Sequence, residues 1–417
     1  MNEEILEQTP SAPSGHLPPN GGDKDPYLCQ ACELGAPLER ELAFAKQMTE
    51  GGIPKSHLHR FTLAFLPPLF LSLLFYALKS NTSLMDTWVH RYMAPVMQSV
   101  GAFWSLFPFS VAEVFIALFL VGSALWLVRA LLLLLKKREG KAFLKRILAF
   151  GCVLAWVWTV FCWTWNCTYY ATGFAAKNDL SKDPYTPEQL LQVTVYFAVQ
   201  TARLSTQVPR NDDLSFAKPL SECFEEGTAV YDNLCTVYPG LSLPHRQAKP
   251  ILCSRLQSFL GYTGLYFPFT GEANVNVDQV TCLVPFTIAH EMAHQRMVAS
   301  EQECNFLGVL ACISSDNVVF QYSGYLTGLI HLTNALRAIS PELMNEVMRK
   351  TFTEELSKDW RDNYDYWQAL KSPAREAASE AMDQVYDGYL KSQGQTLGLM
   401  SYSACVDLLV NYFCPAI

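Results

Sequence analysis

The chain has 417 residues, more than one average domain needs. Half of it is apolar and only 17% is charged, against about a quarter in a soluble protein, which points toward a bilayer. A net charge of −8 excludes a general nucleic-acid surface, and 13 thinly spread cysteines exclude a small disulfide scaffold.

Residues 1–60 are polar, and their Pro, Gly and Ser content from Thr9 to Pro26 predicts disorder. Cys29 and Cys32 form a lone CxxC, with His57 and His59 downstream against the first apolar run. Without two well-placed further ligands this reads as a reduced pair, not a second zinc site.

Residues 61–170 predict three transmembrane helices. Phe61–Leu78 carries no charge, sits between Arg60 and Lys79, and contains Pro67-Pro68, which would kink it. The second span is expected over 109–135, with Glu113 and Arg129 near its ends. The third is expected over 147–170, with Trp163, Trp165, Tyr169 and Tyr170 as an interfacial aromatic belt. The connection Lys136–Arg146 holds six basic residues and one acid, while Lys79–Pro108 has only Lys79 and Arg91 as firm cations. Positive loops stay in the cytoplasm, so residues after about Tyr170 are expected outside.

Residues 171–417 are long enough for one sizeable core and read as mostly helical. Thr186 caps a helix that opens Pro187-Glu188. The segments "PLSECFEEGTAVYDNL" and "QAKPILCSRLQSFLG" read as further helices, and "SYSACVDLLVNYF" as the last, capped at Ser401. The one extended stretch, "GLYFPFTGEANVNV", alternates as a small β hairpin or edge strand does. The fold class is therefore mainly α: three N-terminal membrane helices, then a helical domain with a little β structure.

The chemistry sits in "TIAHEMAHQRMVASEQECNF". HExxH puts His290 and His294 on one helix face, so both imidazoles can hold one metal ion, with Glu291 beside them as general base. Zinc suits this donor set, but a catalytic zinc needs a third protein ligand. Glu301 and Glu303 compete for that place. Ser300 and Glu303 have capping-box spacing, which would start a second helix, occupy Glu303 and leave Glu301 free. From Asn305 to Ile330 the only charge is Asp316, yet "SSDN" at 314–317 breaks the run into two helices. The charges flanking the motif would be costly in lipid, so these helices are expected in a soluble core near the membrane surface.

The motif resembles the gluzincin metallopeptidases, whose third ligand is a Glu on the next helix in a Glu-x-x-Ala/Ser/Cys-Asp pattern. "EQECN" matches with Glu301 first and Cys304 fourth. Asn305 stands where the family has the Asp that orients the first His. Glu303 and Asn305 are thus expected around the ligands. In such peptidases an edge strand before the motif helix pairs with substrate, a role that falls here on Ala273, Asn274 and Val275. An oxyanion stabiliser is also required, with Tyr322 the best candidate ahead of Tyr325, His331 and Tyr402.

A longer resemblance runs through "YFPFTGEANVN", "PFTIAHEMAHQRMVASEQECNFLGVLAC", "QYSGYL" and "YLKSQGQTLGLMSYSACVDLL". These are similar to domain-of-unknown-function family 3810, bacterial membrane proteins with N-terminal spans and an HExxH domain. Met297 stands where a Gly is expected and Cys304 where an Ala is, and neither is expected to touch the ligands. The resemblance implies a zinc peptidase in the bacterial cell membrane, multi-pass, with the lipid bilayer as partner and a peptide or protein substrate, and the basic loop at 136–146 puts its catalytic domain on the extracytoplasmic side. Two other readings stay open: a sensor that cuts only itself or one partner, and a non-catalytic zinc-stabilised binding domain, for which Glu291 would have no use.

Overall fold

The computed structural model describes residues 55–180, 183–395, 398 and 405–416, with side chains from Leu63 onward. The CxxC, the Ser401 cap and Tyr402 lie outside the described residues, as do the side chains of His57 and His59.

The first helix, α1 (Lys55–Leu78), is followed after a short α-helix (Thr82–Thr87) and a π-helical segment (Trp88–Met93) by α2 (Ala94–Trp104), then by α3 (Val111–Leu135) and α4 (Gly140–Thr164). At 25 residues each, α3 and α4 are about 37 Å long, enough to cross a hydrocarbon core of roughly 30 Å. Their apolar side chains, among them Leu118, Leu125 and Leu135, face outward, the reverse of a soluble core helix.

The expectation of three spans is corrected to two. Among the described residues only α3 and α4 are both long and apolar enough, and the side chains of α1 are described only from Leu63. Helix α1 lies parallel to α4, held by polar contacts. Thr159 Oγ1 donates to Pro68 O at 2.9 Å and Trp163 Nε1 to Leu71 O at 3.0 Å. Pro68 has no N–H for the carbonyl of Ala64, and Cys152 Sγ donates there at 3.3 Å. The expected third span also ends early. Residues 166–170 coil into a short 3₁₀ turn in which Asn166, Cys167 and Thr168 are buried, so part of the expected aromatic belt packs on protein.

Beyond α4 the core is helical. Thr186 and Gln189 form a reciprocal capping box that starts α5 (Pro187–Ser205). A three-stranded sheet follows, made from β1 (Lys249–Pro250), β2 (Gly264–Phe267) and β3 (Glu272–Val275), with the short helix α6 (Ser254–Leu260) between the first two. Its order is β1–β3–β2, with β1 parallel and β2 antiparallel to β3. The β2–β3 turn passes through Gly271 at φ +66, against Gly101 of α2. The chain then runs through α7 (Val284–Gln295), α8 (Glu301–Ser314), α9 (Val318–Ile339), α10 (Pro341–Thr351), α11 (Glu354–Ala369), α12 (Pro373–Ser392) and α13 (Cys405–Phe413).

Here the edge-strand expectation fails. Ala273, Asn274 and Val275 form the central strand, fully buried, with both edges taken by β1 and β2. The edge strands are β1 and β2, and β2 is the one that lies against Glu291.

The sheet is joined to the start of α3. Glu272, buried, accepts the backbone N–H of Ala112 at 2.8 Å and of Val111 at 3.2 Å, and pairs with Lys249. A carboxylate at a helix N-terminus meets unsatisfied amides and the positive end of the dipole. In return, Glu113 of α3 accepts the N–H groups of Leu252 and Cys253, both at 2.8 Å.

Candidate metal centre

Helix α7 opens with Pro285 in its first turn and is buried along its whole length. Its C-terminus is fixed by Arg296, which donates to Met292 O and Leu241 O at 2.8 Å and lies 3.6 Å from the Tyr231 ring centroid. Met297 then turns the chain at φ +62. That left-handed conformation explains why the family pattern leads one to expect Gly there. The turn brings α8 back against α7.

The imidazoles of His290 and His294 lie 5.1 Å apart between centroids. Glu301, in the first turn of α8, faces both: its Oε2 is 3.2 Å from His290 Nε2 and 3.6 Å from His294 Nε2. All three side chains are buried. No well-angled hydrogen bond satisfies Glu301 Oε2 in spite of these distances. Three atoms aimed at one point, not at each other, produce that pattern. With ligand bonds of about 2.1 Å, a tetrahedral ion separates its ligands by about 3.4 Å, so the spacing and the His₂Glu donor set fit zinc.

The surroundings prepare the ligands. His294 Nδ1 donates to Val298 O at 2.8 Å, which leaves Nε2 with its lone pair toward the cluster. Cys304 Sγ is 3.3 Å from the same Nδ1, so the expectation that Cys304 stands clear of the ligands is wrong. It lies one helical turn after Glu301 and therefore shares its face. Although burial opposes its charge, the facing His294 and His290 hold the Glu301 carboxyl well below the usual range.

Glu303 does something other than close a capping box. Ser300 makes no side-chain cap bond. The Glu303 carboxylate instead accepts the N–H of Phe174 at 2.8 Å and of Ala175 at 3.1 Å, starting the short helix Phe174–Lys177. Asn305 is buried on α8, but His290 Nδ1 has no hydrogen-bond partner among the described residues, so the expected orienting bond is not made.

Glu291 is buried beside the cluster under the edge strand. A Cβ on Gly264 would stand 2.2 Å from Glu291 Oε1, so only glycine fits above it. Burial pushes the Glu291 carboxyl up to about 7, and its Oε2 has no hydrogen-bond partner. A carboxyl near neutrality with one oxygen free of partners is what a general base requires.

Tyr322 is not at this site. Its hydroxyl donates to Asp359, which also takes a bidentate pair from Arg210 at 2.8 and 2.9 Å. Tyr325 shares a 3.3 Å contact with Tyr196. His331, on α9, faces His290 closely enough that burial, then that neighbour, push its imidazole down to about 4. The tyrosine that does reach the cluster went unforeseen: Tyr386 of α12 donates to Glu301 Oε1 at 2.7 Å. Two aromatics at the end of α4 and on β2 also abut it. Trp165 lies edge-on to His294 at 5.7 Å, and Tyr266 stacks on the same ring at 6.2 Å.

No curated protein and no solved structure matches the sequence. One family does, over residues 90–410, which includes every residue of the cluster: the chain belongs to the family described as protein of unknown function, DUF3810.

Proposed function

We propose that the protein is a membrane-anchored zinc metallopeptidase. The observation that carries this reading is the convergence of His290, His294 and Glu301, whose ligand atoms lie within 4.8 Å of one another, with Glu291, one oxygen of which has no partner, beside them. A bound zinc would lower the pKa of water to about 7 and polarise a scissile carbonyl. His290, His294 and Glu301 would hold the ion, with Val298 O and Tyr386 fixing two of them. Glu291 would take the proton from attacking water and deliver it to the leaving amine. The open edge of β2 would pair with the substrate backbone, which puts the strand role one strand away from Ala273–Val275. The basic residues between α3 and α4 support a cytoplasmic turn and an extracytoplasmic site.

The test is metal analysis of the full chain, with a cleavage assay against Glu291→Gln. Stoichiometric zinc together with Glu291-dependent cleavage is the expected result. Zinc without such cleavage would leave a binding domain, and absence of zinc would end the metal reading altogether.

A further inference from the structure

The position of the cluster relative to α3 and α4 bears on what it cuts. Trp165 directly follows α4, and its indole touches the imidazole of His294 and, at 4.9 Å, the ring of Tyr266. Phe161, in the last turn of α4, stacks on Phe269 at 6.0 Å. Strand β2 therefore has one end, Gly264, against Glu291, and its other end, through the turn at Phe269, against the end of a membrane-type helix. Between those ends lie three residue steps, about 10 Å of extended chain.

A second observation fixes the same level. The start of α3 lies on the same side of the α3–α4 hairpin as the end of α4. Around it, Phe103, Leu106, Phe107 and Phe109 are exposed, as are Leu252 and Leu256 beside Glu113. Apolar side chains at the end of a span belong in the headgroup layer, where they would seat the domain on the bilayer. The cluster then stands at the interface, close to the end of α4.

We infer that the substrate is itself a membrane-anchored polypeptide, cut in its juxtamembrane stretch within about five residues of its own span, because β2 leads from the end of α4 to Glu291. This rests on the peptidase reading. A chain rising from the bilayer alongside α4 reaches β2 directly and, at about 3.3 Å per residue, arrives at Glu291 after three to five residues. A soluble chain must enter between the cluster and the lipid surface.

The test uses the full-length chain in liposomes with zinc and a library of randomised 40-residue stretches. Each stretch is offered attached to a single span and also as a soluble peptide, with Glu291→Gln as background and cut positions mapped by mass spectrometry. Expected are Glu291-dependent cuts within about five residues of the span, with soluble peptides cut at least ten times more slowly. Cuts spread evenly along the stretch, or soluble peptides cut as fast, would overturn the inference and leave the peptidase standing. No Glu291-dependent cut in either form would overturn both.

Discussion

Gly264 offers the sharpest test of how the general base is held. Replacing it with Ala adds one methyl group, which would lie 2.2 Å from Glu291 Oε1 and 2.7 Å from its Cδ and Cγ. Ordinary contact needs about 3.5 Å, so the whole side chain must retreat by about 1 Å. Neither partner is a free end: Glu291 is buried and Gly264 is paired with Val275. A displacement of about 1 Å at a reacting group costs up to about a hundredfold in rate, or about 2.7 kcal/mol of barrier. Overpacking costs a further 1–3 kcal/mol or so of stability. Gly264→Ala should therefore keep its zinc and lose about two orders of magnitude in kcat/KM on any substrate cut in a Glu291-dependent way. Gly122 of α3 is the control, because a Cβ there meets nothing within 4 Å. If Gly264→Ala retained wild-type kcat/KM, the placement of Glu291 under β2 as catalytic base would be refuted.

The two competing carboxylates should separate cleanly. Glu301→Ala should weaken zinc binding by more than tenfold, while Glu303→Ala should keep the metal and lose about 1–3 kcal/mol of stability by orphaning the amides of Phe174 and Ala175, read by metal titration and thermal melting. Tyr386→Phe removes the donor to Glu301 Oε1 and should weaken zinc about tenfold with little change in melting temperature. Tyr322→Phe should lower the melting temperature through the under-satisfied Asp359 yet leave turnover intact; a large fall in kcat would restore it as an oxyanion stabiliser. Glu272→Ala strands Lys249 and the first amides of α3, and chemical denaturation should show a loss of about 3–5 kcal/mol, partly recovered by adding Lys249→Met.

Local signals in the sequence were read correctly where local chemistry decides. The Thr186 cap starts α5, and "SSDN" separates α8 from α9 with Asn317 capping Val319. HExxH places its two imidazoles together because helical spacing alone does so. What the sequence hid was long-range. Lys249–Pro250 lies inside a segment that reads as helix, yet these two residues pair with Asn274 and Val275 and turn an expected edge into a centre. Ser300 and Glu303 have the spacing of a capping box, but amides 128 and 129 residues away claim the carboxylate. Tyr386 is 85 residues from Glu301, on a mostly exposed helix whose one local hint was a second tyrosine, Tyr389, three positions on. Pro67-Pro68 was expected only to kink α1, whereas a freed carbonyl becomes an attachment point for α4.

The same long-range contacts explain why the cluster has a fixed height. Gln295, the last residue of the motif helix, donates to Gly271 O at 3.2 Å, and its own carbonyl accepts Gln98 Nε2 of α2 at 3.0 Å. Gly271 is followed by Glu272, whose carboxylate holds the first amides of α3. The end of the motif helix is thus two residues of backbone from the start of a membrane-type helix, through buried polar groups that would each cost free energy to separate. A flexible linker would let the site swing over a range of distances from the bilayer. This joint does not, so in the peptidase proposed above selection of the bond to be cut would come from distance above the membrane as well as from side-chain pockets. On that proposal the site would have little need of a deep specificity pocket, and the buried cluster under β2 would need only an extended backbone delivered along one edge.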